Sequence, residues 1–153
     1  MNLSELKSFV ADIYGPGVKF QLIPYSYGLT FTALAPATTA TQQLSIAANA
    51  DFVFCEIAAT GNVANAGQTV STQTQPLCRI LITDTGSNDQ YMNTAISLAN
   101  YASIGPSGPT GELYWPRMIS GRSALTVQLT NYDAAQTYVV DVSLNGVLCR
   151  VYR

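Results

Sequence analysis

The chain has 153 residues, 48% of them hydrophobic, 10% charged and none histidine, with a formal net charge of −2. That length supports one hydrophobic core and leaves little for a second domain. Seven scattered Lys and Arg argue against a phosphate-binding surface, and a chain without histidine can build neither a Ser-His-Asp nor a Cys-His arrangement.

The first element in chain order is a helix over residues 2 to 14. Leu3, Leu6, Val10 and Ile13 recur at spacings of three and four, with Phe9 and Tyr14 flanking the stripe. Asn2 or Ser4 can cap its start, and Gly15-Pro16-Gly17 stops it. About three turns are marginal alone in water, so the stripe has to be buried, either on the chain's own sandwich or on a neighbouring subunit. Residues 1–17 are therefore read as a helical arm and 18–153 as the β domain, with Leu3, Leu6, Phe9, Val10 and Ile13 as candidate partner-binding residues. MNLSELKSFV has no basic n-region and no apolar h-region, and no stretch approaches the ~20 apolar residues of a membrane span. The expectation is a protein made and used without secretion, away from membranes.

Beyond Gly17 the pattern turns strand-like, with candidates at Lys19–Ile23, Leu29–Leu34, Gln43–Ala47 and Phe52–Ala58. ALAPATTATQ, from Ala33, and GNVANAGQTVSTQTQP, from Gly61, read as exposed loops. Leu77–Asp84 is a strong strand, Tyr91–Leu98 a further one, and Ala99 to Gly111, with its GPSGPTG stretch, a loop. The C-terminal part is the clearest. SALTVQLTN alternates on Leu125, Val127 and Leu129; QTYVVDVSL does so on Tyr138, Val140, Val142 and Leu144. Asn145-Gly146 then predicts a two-residue type I′ hairpin, with VLCRVY as the returning strand. Eight or nine strands after one short helix, without βαβ alternation, predict an all-β fold: a jelly-roll-like β-sandwich of about eight strands with a short N-terminal helix. An immunoglobulin-like sandwich competes, but its Cys…Trp…Cys order is missing, since Trp115 follows Cys78.

Chemistry is sparser. Asp84-Thr85-Gly86-Ser87 looks like an aspartic protease motif, which would need a symmetric dimer to pair two carboxylates. The same residues favour a tight turn, and that is the expected role. Cys55, Cys78 and Cys149 lie far apart in apolar segments without metal-ligand spacing and are expected to be buried thiols. Glu56 reads as a buried carboxylate for Arg79 or Arg150. Phosphate loops, dinucleotide fingerprints and metal clusters are absent from the sequence, so no catalytic residue, metal or cofactor is expected. Tyr114-Trp115-Pro116-Arg117 groups aromatic rings and a cation, a composition enriched at interfaces and sugar-binding grooves. Tyr114, Trp115 and Arg117 complete the candidate partner-binding set, against the competing role of Trp115 as a cap on the core.

From about residue 41 to 152 the chain resembles the small structural proteins of tailed bacteriophages, particularly the jelly-roll cement (decoration) proteins. The similar features are Ala50-Asp51-Phe52-Val53, RILITDTGS, and PRMISGRSALTVQLTN followed by YVVDVSLNGVL. The resemblance implies a non-enzymatic virion protein on the capsid exterior, assembled in the host bacterial cytoplasm. Its implied partners are the major capsid protein and copies of itself, as dimer or trimer, with no nucleic acid, membrane or small-molecule substrate. A neck or tail-associated protein, or a carbohydrate-binding head fibre, is the alternative on the same scaffold.

Overall fold

The computed structural model describes residues 2–104 and 112–152, apart from the side chains of Glu112 and Tyr114. Helix α1 (Leu3–Tyr14) opens on a reciprocal cap: the Glu5 amide donates to Asn2 Oδ1 at 3.0 Å, and the Asn2 amide to Glu5 Oε2 at 2.8 Å. It ends at Gly15, whose φ of 88° lies in the region glycine enters without a Cβ clash.

Two sheets follow. In the first, β1 (Lys19–Leu34) is the edge strand, paired to β11 (Tyr138–Tyr152), which pairs to β3 (Asp51–Val63). The far edge of β3 takes β9 (Glu112–Ile119), β8 (Ser103–Ile104) and β4 (Gln73–Thr74) in succession. In the second, β2 (Thr39–Ser45) pairs to β10 (Ala124–Asn131), and β10 to β5 (Cys78–Asp84); β5 carries β6 (Asp89–Gln90) and β7 (Ile96–Ser97). A short helix α2 (Leu98–Tyr101) continues from β7.

Without the short strands β4, β6 and β8, the remaining eight run antiparallel, and each lies in the opposite sheet from its predecessor except β7, which follows β5 in the same sheet. Their orders are β1-β11-β3-β9 and β2-β10-β5-β7, the connectivity of a jelly roll. The expected all-β class and the short N-terminal helix are what the structure has.

The core lies between the sheets. β10 buries Leu125, Val127, Leu129 and Asn131 in strict alternation, and β11 buries Tyr138, Val140, Val142 and Leu144. Against them stand Phe31, Phe52, Phe54, Ile57, Ile80 and Ile82. In β3 the register slips at Cys55, so Phe54 and Ile57, three apart, both face inward.

Four expectations are corrected. Asn145-Gly146 makes no hairpin: β11 runs straight through, with Asn145 opposite Glu56 and Gly146 opposite Phe54. Glycine is needed there for space, since a Cβ would stand 1.9 Å from the Val53 carbonyl oxygen. Lys19–Ile23 and Leu29–Leu34 are one strand, because Pro24 lies on an edge strand where a missing amide costs no ladder bond. Tyr91–Leu98 is strand only at Ile96–Ser97, and α2 and β8 occupy part of the expected loop from Ala99; residues 105–111 of that loop lie outside the described residues. β9 was hidden by Pro116, which sits in an irregular stretch of its pairing to β3.

Candidate functional site

Strand alternation leaves an apolar patch on the outer face of the first sheet. Val53 and Cys149 point away from the inter-sheet core, with Phe20, Leu22, Val147 and Met118 beside them. Helix α1 lies on this patch through Leu6 and Val10, both buried, while Phe9 and Tyr14 are half-buried at its margin. Farther along β1 and β11 the outward positions become Ser26, Gly28, Thr30, Asp141 and Ser143. The large apolar residues of this face cluster under the helix, with Val139 on β11 an outward apolar residue beyond it.

A clasp fixes the end of the helix. The Tyr14 hydroxyl donates to Asp51 Oδ2 at the start of β3, and the Gly121 amide donates to Asp51 Oδ1 at 2.7 Å. Gly121 reaches it because the β9–β10 turn runs against the β2–β3 loop, where a Cβ would lie 2.8 Å from the Ala50 carbonyl oxygen. Around the clasp opens a cleft of about 530 Å³ lined by Tyr14, Asn49, Asp51, Arg122, Cys149 and Val151. Burial raises the Tyr14 phenol far above its ordinary value, and the Asp51 carboxylate raises it further. Burial also raises the Cys149 thiol. Both groups stay protonated near neutrality, so neither is poised as a base or a nucleophile.

The second cluster is on β9. Phe54 stands opposite Arg117 and Glu56 opposite Glu112, so the four residues Leu113 to Pro116 face the single Cys55 of β3 in a bulge, within which Leu113 packs on the inter-sheet core and Pro116 is buried. Trp115 is thrown into solvent, 70% exposed, and does not cap the core. The Arg117 guanidinium lies 4.4 Å from the centre of the Tyr91 ring, which stacks on Phe54. Burial raises the phenols of Tyr91 and Tyr101, and the Arg117 charge partly offsets this. Arg117 is held in place by an aromatic ring two residues from an exposed indole, a composition suited to contact with protein or sugar.

Of the sequence-predicted residues, Leu6 and Val10 are spent on the chain's own sheet, whereas Leu3 (61%) and Ile13 (49%) remain exposed. The Tyr114 side chain lies outside the described residues. Met118 belongs to the apolar cluster under α1, so the strand carrying Trp115 and Arg117 also borders the helix seat. Asp84 builds a turn, accepting from the amides of Gly86 at 2.8 Å and Ser87 at 3.4 Å. Arg79 lies over the Tyr132 ring on the second sheet, while Glu56 is in the first. The Cys78 thiol is pushed up to about 11, mainly by burial, no disulfide joins the cysteines, and no group of His, Cys, Asp or Glu among the described residues could hold a metal. Sequence reasoning missed Asp51, whose partners are 37 and 70 residues away. It also missed the buried Asn131, whose amide nitrogen donates to the carbonyls of Leu34, Ala35 and Gln136.

Compared with protein-family models and with curated proteins, the chain matches none.

Proposed function

We propose that the protein is a capsid cement (decoration) protein of a tailed bacteriophage, bound to the capsid exterior and bridging copies of the major capsid protein. The observation that carries this reading is a surface low in charge yet rich in large apolar groups. Trp115, Val70, Leu3 and Tyr152 are 55–70% exposed in a chain with 10% charged residues. Such a surface repels protein neighbours weakly and has apolar area to lose on contact. The jelly roll supplies a rigid double-sheet body, and repetition around a shell multiplies weak contacts into strong retention. In this reading the chain is non-enzymatic, and Asp84 is a turn residue.

Exposed Trp115 beside ring-held Arg117 favours one second reading, a neck-associated or head-fibre protein that binds protein or carbohydrate. Copy number separates the two. Quantitative mass spectrometry of particles containing the chain should count hundreds of copies for a cement protein and about a dozen for a neck protein. Heads produced without the chain should rebind it from solution and gain thermal stability; failure to rebind contradicts the cement reading.

A further inference from the structure

We propose that α1 is an exchangeable arm, and that its seat on the outer face of the first sheet accepts α1 of a second copy of this chain, giving a swapped dimer. The proposal does not depend on the capsid reading. It starts from two apolar clusters that share no residue: the helix seat holds Leu6, Val10, Val53 and Cys149, and the inter-sheet core holds none of them. The arm can therefore leave without opening the core.

The joint is built for departure. Gly15 and Gly17 have φ of 88° and 85°, and no atom lies within 4 Å of where either Cβ would be. The space beside both glycines is open on that side, and Pro16 between them cannot extend the helix into the strand. The joint feeds β1, the edge strand of its sheet, so the chain enters at the rim and no other element has to move.

The seat also dictates its occupant. Vacated, it would open Val53 and Cys149 to water next to Phe20, Leu22 and Val147, and the surface shaped for those residues is α1 itself. An arm from a second copy restores the same contacts, including the hydroxyl of Tyr14 on Asp51. The two forms then differ by joint geometry and by the effective concentration of a tethered arm, in the millimolar range for short linkers. Exchange accordingly favours the monomer in dilute solution and the dimer where copies crowd together.

Deleting Pro16 and Gly17 takes about 7 Å from the reach of the joint, which hinders docking in cis and leaves docking in trans open. The shortened chain should sediment as a dimer at tens of micromolar, about 100-fold below the concentration at which the intact chain dimerises. To identify the seat used, Phe9 is replaced by p-benzoyl-phenylalanine in the shortened chain, and ¹⁵N-labelled and unlabelled chains are co-refolded and irradiated. Mixed cross-links, a labelled arm on an unlabelled β3 or β11 and the reverse taken together, should be about as frequent as equally labelled ones, the statistical result for equal amounts of two chains. A shortened chain that stays monomeric, loses cooperative unfolding, or dimerises with intrachain cross-links alone overturns the proposal. The Phe9 replacement in the chain with its natural joint gives a second reading, in which mixed cross-links should accumulate after labelled and unlabelled protein are held together near 1 mM. Their absence contradicts the exchange whatever the shortened chain does.

Discussion

The apolar layer between the sheets and the apolar patch beneath α1 use the same strands, β3 and β11, but opposite faces of them. Phe52 and Phe54 point into the layer and Val53 into the patch; Leu144 and Leu148 point into the layer and Cys149 into the patch. The layer is closed on both sides by strands whose register is set by ladders up to fourteen residue pairs long. The patch is closed on one side by three turns of helix on a two-glycine joint. Similar side chains therefore differ in how much of the fold each one holds.

A change in the layer should give the largest effect. Leu129→Ala, fully buried on the central strand β10, should cost about 3–5 kcal/mol of global stability in denaturant unfolding, from lost burial and a cavity that the two sheets cannot close. A cost below about 1 kcal/mol would mean that the layer is loosely packed and the comparison misplaced.

Asn131→Leu tests the polar end of the same layer. Its amide donates to three carbonyls and its carbonyl accepts from the Asp133 amide at 2.9 Å. Stranding those groups should cost about 2–3 kcal/mol in the same assay.

In the patch, Val10→Ala loses about two buried methyl groups, or about 1.5 kcal/mol. That loss should appear in the opening of α1, measured by hydrogen exchange of its amides, and hardly at all in the global unfolding midpoint. Tyr14→Phe removes one hydrogen bond to Asp51 and should do the same with about 1 kcal/mol.

The smallest effect is acid dependence at the β10–β11 turn. Asp133 accepts from the Tyr138 hydroxyl and from the amides of Ala135 and Gln136, and these bonds hold its carboxyl below the ordinary 3.8. A carboxyl lowered by folding stabilises the fold above its unfolded pKa and loses that contribution as the pH falls through the lower, folded value. The Asp133 side-chain resonance should therefore titrate below 3.8 in the folded protein, and Asp133→Asn should flatten the acid limb of the stability curve.

How much of this the sequence discloses follows from which signals are local. The alternation of ALTVQLTN and the three-four spacing of α1 are local, and both elements form where the pattern puts them. Asn145-Gly146 is local too and misleads: the same glycine that permits a tight turn is used for a close pass of the Val53 carbonyl, and that neighbour is remote in sequence. Pro24 reads as a strand breaker until its strand is known to be an edge, and Trp115 reads as a core cap until the bulge of β9 is known. The Asp51 clasp has no sequence signature, because its meaning comes from Tyr14 and Gly121, which reach it only once the sheets have formed.

The separation of layer from patch is tested most directly by native-state hydrogen exchange on the intact chain. If α1 is a satellite on a self-sufficient jelly roll, its amides should exchange through a local opening at least about 100-fold faster, relative to their unstructured rates, than those of β10 and β11. Protection of the α1 amides equal to that of β10, lost at the same denaturant concentration, would show one cooperative unit and contradict the account.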